Sequence, residues 1–270
     1  MRLGWQIVRA SARDIIENIG VALQLSVALL LVAVFFGNHW LEQAALYQRG
    51  WFLVPSRFVW WMWVLGLLGT LIPTLWIAVG WHRFIVLGEH PWLIVPRLHL
   101  RQGVSYLGAS LWVSLVIVGV VLGVMAIVMT VTGIALTVVG ADRAAFSAYG
   151  SFMGRWIGLL LGTYVWLRYS PVFVAAACGQ EKSLRAARHE TLAGRGSLIF
   201  VTVLILGLGM LFEGIVKAMN VTGVVLGGYQ IVSAWFLILL NVGIMTTIHR
   251  QFAVRKPAEF PLRLQEGGGT

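Results

Sequence analysis

Long uncharged apolar runs alternate with short basic segments along this chain. Each run matches or exceeds the roughly 20 residues a helix needs to cross about 30 Å of hydrocarbon. In order, they predict spans at residues 18–37, from 58 to between 81 and 88, from 103 onward, 151–179, 196–212 and 223–248. Residues 1–17 carry a different pattern. Helical spacing puts Trp5, Val8, Ala12, Ile15, Ile16 and Ile19 on one face and Arg2, Gln6, Arg9, Arg13 and Glu17 on the other. That pattern predicts a basic amphipathic helix lying in the headgroup plane and favouring anionic lipid. The tail 250–270 ends in Gly-Gly-Gly-Thr and reads as disordered.

The third run is too long for one crossing. Residues 102–141 hold no charge, and 40 residues at 1.5 Å each would make a helix of about 60 Å. Charge placement decides how they divide. Setting Arg168 aside, six spans put 14 of the 20 Lys and Arg on the side of the termini and five on the other. Seven spans would move the Lys182–Arg195 cluster outside and break the positive-inside bias. We therefore expect one helix from Gly103 to about Thr130 and an apolar outer segment, Val131 to Tyr149, lying against the bundle. The fold class is all-α: a polytopic membrane helix bundle of six transmembrane helices. An interfacial helix (1–17) precedes the membrane domain (18–249), a disordered tail (250–270) follows, and both termini are cytoplasmic. Trp60, Trp61 and Trp63 at one end of the second span, and Trp81 and Trp92 at the other, read as aromatic belts.

Composition agrees with this class. Hydrophobic residues make up 59% of the chain and charged residues 11%, against roughly 25% charged in soluble domains. Such a chain has no room for a further soluble catalytic domain. The formal charge of +10 does not point to nucleic acid, because the cations sit at the ends of apolar runs and no binding motif accompanies them. Cys178, the single cysteine, has no intramolecular disulfide partner. No small-x-small cleavage site follows the first run, which reads as a retained anchor. The even spans end alike, in Trp81-His82-Arg83-Phe84, Trp166-Leu167-Arg168-Tyr169 and His249-Arg250-Gln251-Phe252. The three arginines are 85 and 82 residues apart (168 − 83 and 250 − 168). Three hairpin repeats would produce this spacing. So would the positive-inside bias alone, which puts an arginine after every inward-ending helix.

Arg168 carries the most chemistry. Counted on a continuous span, it lies about 11 residues, or roughly 16 Å, before the end, where a charge costs several kcal/mol and needs a partner. Pro171 denies a hydrogen bond to the Leu167 carbonyl and predicts a kink. No acid falls at the same depth. Backbone carbonyls, Tyr164, Gln24, Asn241 or a bound anion such as a lipid phosphate are left as partners. Arg168, Tyr164, Asn241 and Arg83 are thus the anion- or lipid-binding candidates. Gly154, Gly158 and Gly162, and likewise Gly119 and Gly123, form small-xxx-small stripes suited to close helix packing. Glu213 has two prospective partners, Lys217 one turn on and Arg155. Five histidines (His82, His90, His99, His189 and His249) fall on the cytoplasmic side as solvated or interfacial residues. None has the spacing of a metal site. No nucleophile elbow, P-loop or paired intramembrane aspartates are present, so neither an enzyme, a metal nor a cofactor is expected.

The stretch from Arg168-Tyr169-Ser170-Pro171 to Glu181-Lys182-Ser183-Leu184-Arg185-Ala186-Ala187-Arg188 joins an in-membrane arginine, an apolar half-helix, a polar turn and a basic helix. It resembles the membrane domain associated with bacterial glycerophosphodiester phosphodiesterases and related six-span inner-membrane proteins. Trp81-His82-Arg83-Phe84-Ile85-Val86-Leu87-Gly88-Glu89 is similar to a segment of such proteins. The resemblance implies a bacterial cytoplasmic (inner) membrane location. The catalytic barrel is absent, so it does not imply hydrolysis. The expectation is a non-enzymatic membrane protein that binds anionic lipid or supports a membrane partner. The alternative is a transporter of a small anion or lipid.

Overall fold

The computed structural model describes residues 2–27, 30–31, 56–90, 99–139, 143–219 and 223–252. They are helical, with no strand among them. In chain order the helices are α1 (Arg2–Glu17), α2 (Ser56–Leu87), α3 (Leu100–Val139), α4 (Arg143–Arg168), α5 (Ser170–Ala177), α6 (Leu184–Glu190), α7 (Arg195–Met219) and α8 (Gly223–Phe252). Residues 19–27 form a further helical segment between α1 and α2. Most of the expected first span, Trp92, the side chains of Trp60, Trp61 and Trp63, and the tail beyond Phe252 lie outside the described residues.

Among the described residues, three helices are long and apolar enough to cross a membrane, or four if α4 and α5 count as one bent span. The core is gathered at one end of the bundle. Ile7 of α1, Ile77 and Trp81 of α2, Phe173 of α5, Leu198 of α7, and Leu239, Met245 and Ile248 of α8 are fully buried there. Trp81 is therefore a core residue, not the belt residue its position suggested.

α1 buries a narrower face than its apolar pattern predicts. Gly4, Ile7, Val8, Ser11 and Ile15 are buried, while Trp5 (54% exposed), Ile16 (72%) and Ile19 (44%) are left outside. Small residues decide which side docks. A Cβ on Gly4 would lie 2.8 Å from the Phe200 ring and 2.9 Å from the Ser197 carbonyl oxygen, and one on Gly243 would lie 3.4 Å from Ser11 and Ile15. The Ser11 hydroxyl donates to the Ile7 carbonyl (2.9 Å) and shares a hydrogen bond with Thr247 of α8 (2.9 Å). α1 thus presents three faces: one docked on α7 and α8, one apolar and exposed, and one basic.

The third helix does not stop near Thr130. α3 continues to Val139 and α4 begins at Arg143, so residues 131–139 and 143–149 extend these two packed helices rather than forming a separate outer segment. Residues 131–139 hold no proline to stop the helix. Thr130 and Thr137 return their hydroxyls to the Ala126 and Gly133 carbonyls (2.8 and 2.7 Å). At about 60 Å, α3 is twice as long as a single crossing requires.

The expected fourth span, 151–179, is not one helix kinked at Pro171. It breaks at Tyr169, with a 48° bend between α4 and α5. Pro171 occupies the first turn of α5, where its missing N–H is unneeded. Every residue of α5 is buried, among α2, α3 and α8. It ends in a Schellman motif: Gln180 N–H bonds the Ala175 carbonyl (2.8 Å), Gly179 N–H bonds that of Ala176 (3.1 Å), and Gly179 takes φ 75°. Ser183 then caps α6, its Oγ accepting from Ala186 N–H (3.2 Å).

Candidate functional site

A layer of buried polar side chains crosses the packed end of the bundle. His82, Ser170, Thr246 and His249, from α2, α5 and α8, are all buried. This corrects the expectation of solvated or interfacial histidines for His82 and His249. Both follow long apolar runs, and only the packing of α2 and α8 around α5 shows that they point inward. Thr246 donates its hydroxyl to the Val242 carbonyl (2.8 Å) and meets His82 Nδ1 at 2.8 Å. Since the Thr246 proton is already committed, His82 Nδ1 is the donor. His82 Nε2 therefore presents a buried lone pair. It has no partner, and neither have His249 Nδ1 and Ser170 Oγ. Among the described residues no three His, Cys, Asp or Glu side chains converge as a metal ion would require.

The four anion candidates are not brought together. Arg83 is buried and three of its five N–H donors are engaged: Nε and Nη2 reach the two Glu89 oxygens at 2.8 and 2.5 Å, and Nη1 reaches the Ala177 carbonyl at 3.1 Å. It clasps the end of α2 to the end of α5. Asn241 Nδ2 turns back to the Leu237 carbonyl of its own helix (2.8 Å). Tyr164 is half-buried on α4. Arg168 ends α4. Its carbonyl accepts from the Thr191 hydroxyl (3.2 Å), while its Nε is buried without a partner. Among the described residues its side chain makes no hydrogen bond or ion pair.

Around Arg168 the charge balance is one-sided. Apart from the exposed Glu181, the acids described near this end are engaged: Glu17 by Arg13 (2.7 Å), Asp14 by Arg250 (3.3 Å), Glu89 by Arg83, and Glu190 by Lys182 (2.8 Å). Arg2, Arg9, Arg101, Arg185, Arg188 and Arg195 are exposed and form no ion pair among the described residues. At the far end, Arg155 lies 3.8 Å from Glu213; the expected pairing of Glu213 with Lys217 falls on a side chain outside the described residues.

The two glycine stripes have different fates. Along α4, added Cβ atoms would face Met129 from Gly150 (2.7 Å), Met125 from Gly154 (3.0 Å), Val121 from Gly158 (3.8 Å) and Ile117 from Gly162 (3.5 Å). Each pair of numbers sums to 279, as an antiparallel register requires. Gly119 and Gly123 have nothing within 4 Å, so their expected packing role is not seen among the described residues. The same spacing appears on both helices, and a stripe says that close approach is allowed, not that a neighbour is there.

Set against known proteins, the chain matches no family model, no curated protein and no solved structure. What fold and site define is a class: a helical membrane protein with, among the described residues, an excess of basic side chains at one end.

Proposed function

We propose that the chain is a non-enzymatic integral membrane protein whose basic end holds anionic phospholipid, with the Arg168 guanidinium on the phosphate. The observation that carries this reading is the buried, unpartnered Arg168 Nε beside arginines that lack acidic partners. Guanidinium is matched to phosphate oxygens, and each basic residue near an anionic surface adds about 1 kcal/mol of attraction. The exposed apolar edge of α1 (Trp5, Ile16, Ile19) adjoins its basic edge (Arg2, Arg9, Arg13), as an interfacial helix requires.

Depth supports an interfacial contact for Arg168. Arg195 and Glu213 on α7 are 18 residues apart, about 27 Å at 1.5 Å per residue, close to the hydrocarbon thickness. α4 packs on α7, and the Arg155–Glu213 pair sets their outer level. Arg168, 13 residues further in, is about 20 Å from that level. That leaves about 7 Å to the inner edge, within reach of a snorkelling arginine. Placement in a bacterial cytoplasmic membrane, six spans grouped as three hairpins, and cytoplasmic termini belong to the same proposal and rest on the 14-to-5 charge bias and the spacing of Arg83, Arg168 and Arg250.

The test is native mass spectrometry of the purified protein titrated with phosphatidylglycerol. Wild type and Arg168→Lys should retain the same number of bound lipids, and Arg168→Ala should bind at least one fewer. Equal retention by all three would refute the contact. A second reading, transport of a small anion or lipid, is favoured by the broken α4–α5 pair, since discontinuous helices accompany transport sites. Anion flux in proteoliposomes that Arg168→Ala abolishes would select it.

A further inference from the structure

Between α3 and α5, the turn leading into α6 roofs a cleft of about 470 Å³. Its lining is graded. Ala109 and Trp112 of α3 and Val172 and Ala176 of α5 give an apolar floor, and Ser105 and Lys182 stand at a polar mouth. Lys182 is held by Glu190 at 2.8 Å, which leaves two ammonium donors for another acceptor. Arg101 lies one turn before Ser105 on the same side of α3, exposed and without an ion pair among the described residues. Glu181 also lines the cleft and makes the mouth only modestly cationic. The floor opens sideways past Trp112 onto a face where Leu111 and Leu115 are also exposed. Only 6% of the apolar window of α3 is buried.

We infer that this cleft seats one glycerophospholipid drawn from the surrounding bilayer. Its phosphate lies at the mouth formed by Arg101, Ser105 and Lys182, and one acyl chain runs along the floor past Ala109 and Trp112. Two features select a lipid over a free anion. Polar and apolar linings follow each other along α3 over seven residues, Ser105 to Trp112, about 10 Å, in the order headgroup then chain. The apolar floor adjoins the exposed apolar face of α3, where Leu111, Trp112 and Leu115 are uncovered. The site does not use Arg168 and stands apart from the reading above.

A phosphatidylglycerol carrying a photoactivatable diazirine in its acyl chain tests this in proteoliposomes of the full chain. Illumination should tag the peptides containing Trp112 and Val172–Ala176. Ala109→Trp fills the floor and Ser105→Asp puts a carboxylate where the phosphate would sit. Each should lower that tagging about tenfold, with Arg168→Ala leaving it unchanged. Ser105 is exposed, so Ser105→Asp keeps a folded comparison if Ala109→Trp disturbs packing; unchanged thermal melting would establish that. Tagging spread evenly along α3, or insensitive to both variants, would overturn the proposal. So would equal competition by inorganic phosphate, which would mark an anion site without a lipid. Retained tagging alongside an Arg168→Ala protein that binds as many lipids as wild type would leave this site standing while the Arg168 contact fell.

Discussion

Replacing Gly4 with alanine should loosen α1 from the bundle. A methyl group there would meet the Phe200 ring at 2.8 Å and the Ser197 carbonyl oxygen at 2.9 Å. The ring can turn, but the carbonyl belongs to the first turn of α7 and moves only with that helix. Overpacking of this kind costs about 1–3 kcal/mol. The gain in helix propensity from Gly to Ala, about 1 kcal/mol, does not offset it, because an undocked α1 stays helical at the interface and benefits equally. The equilibrium constant for docking should fall about 5- to 150-fold. Hydrogen exchange in detergent reads this directly: amides of residues 4–15, and those of α7 around Ser197, should exchange faster in Gly4→Ala. Gly20→Ala is the internal control. Gly20 is helical with nothing within 4 Å, so the same substitution should be neutral or stabilising by up to about 1 kcal/mol. Equal protection of α1 in Gly4→Ala and wild type would refute the docking account.

The α4 stripe predicts that Gly154→Leu destabilises the hairpin by about 1–3 kcal/mol while Gly123→Leu does not; equal melting temperatures would contradict the register. Burial raises the Asp14 carboxyl above its ordinary 3.8, against an opposing pull from Arg250. The folded protein thus holds this proton more tightly than the unfolded chain, and the resulting stability is complete below 3.8 and lost as pH rises through the raised value. Asp14→Asn should flatten the melting-temperature profile upward from 3.8, and an unchanged profile would sink the assignment. Cys178 is half-buried at the end of α5; maleimide should label it slowly at neutral pH, and faster in Gly179→Ala, where φ 75° makes a side chain strain the cap by about 1–2 kcal/mol. Arg83→Met should destabilise by about 1–3 kcal/mol, because it leaves the Ala177 carbonyl and Glu89 short of a donor, and more than Glu89→Gln, whose carboxylate is partly solvated. Chemical denaturation of both would check the order.

The pattern along the chain by itself determined that this is a helical membrane protein and that residues 1–17 read as an amphipathic helix; it expected a kink at Pro171 within one continuous span, where the structure breaks the helix at Tyr169. These are local properties: an apolar run long enough to cross a bilayer, a 3.6-residue period, a proline that cannot donate. Tertiary structure decided what local pattern leaves open. Trp5 and Ile7 are both apolar, yet only Ile7 is buried, because the small residues Gly4 and Gly243 set the docking side. Gly154 and Gly123 sit in matching stripes, yet only Gly154 faces a neighbour. Arg83 and Arg168 end similar spans, yet Glu89 engages one and nothing among the described residues engages the other. Whether α3 stopped near Thr130 or ran to Val139 depended on the α4 residues that Met125 and Met129 pack against. Spacing specifies which faces a helix offers, and only packing specifies which of them are used, since burial and pairing energies depend on groups distant in sequence.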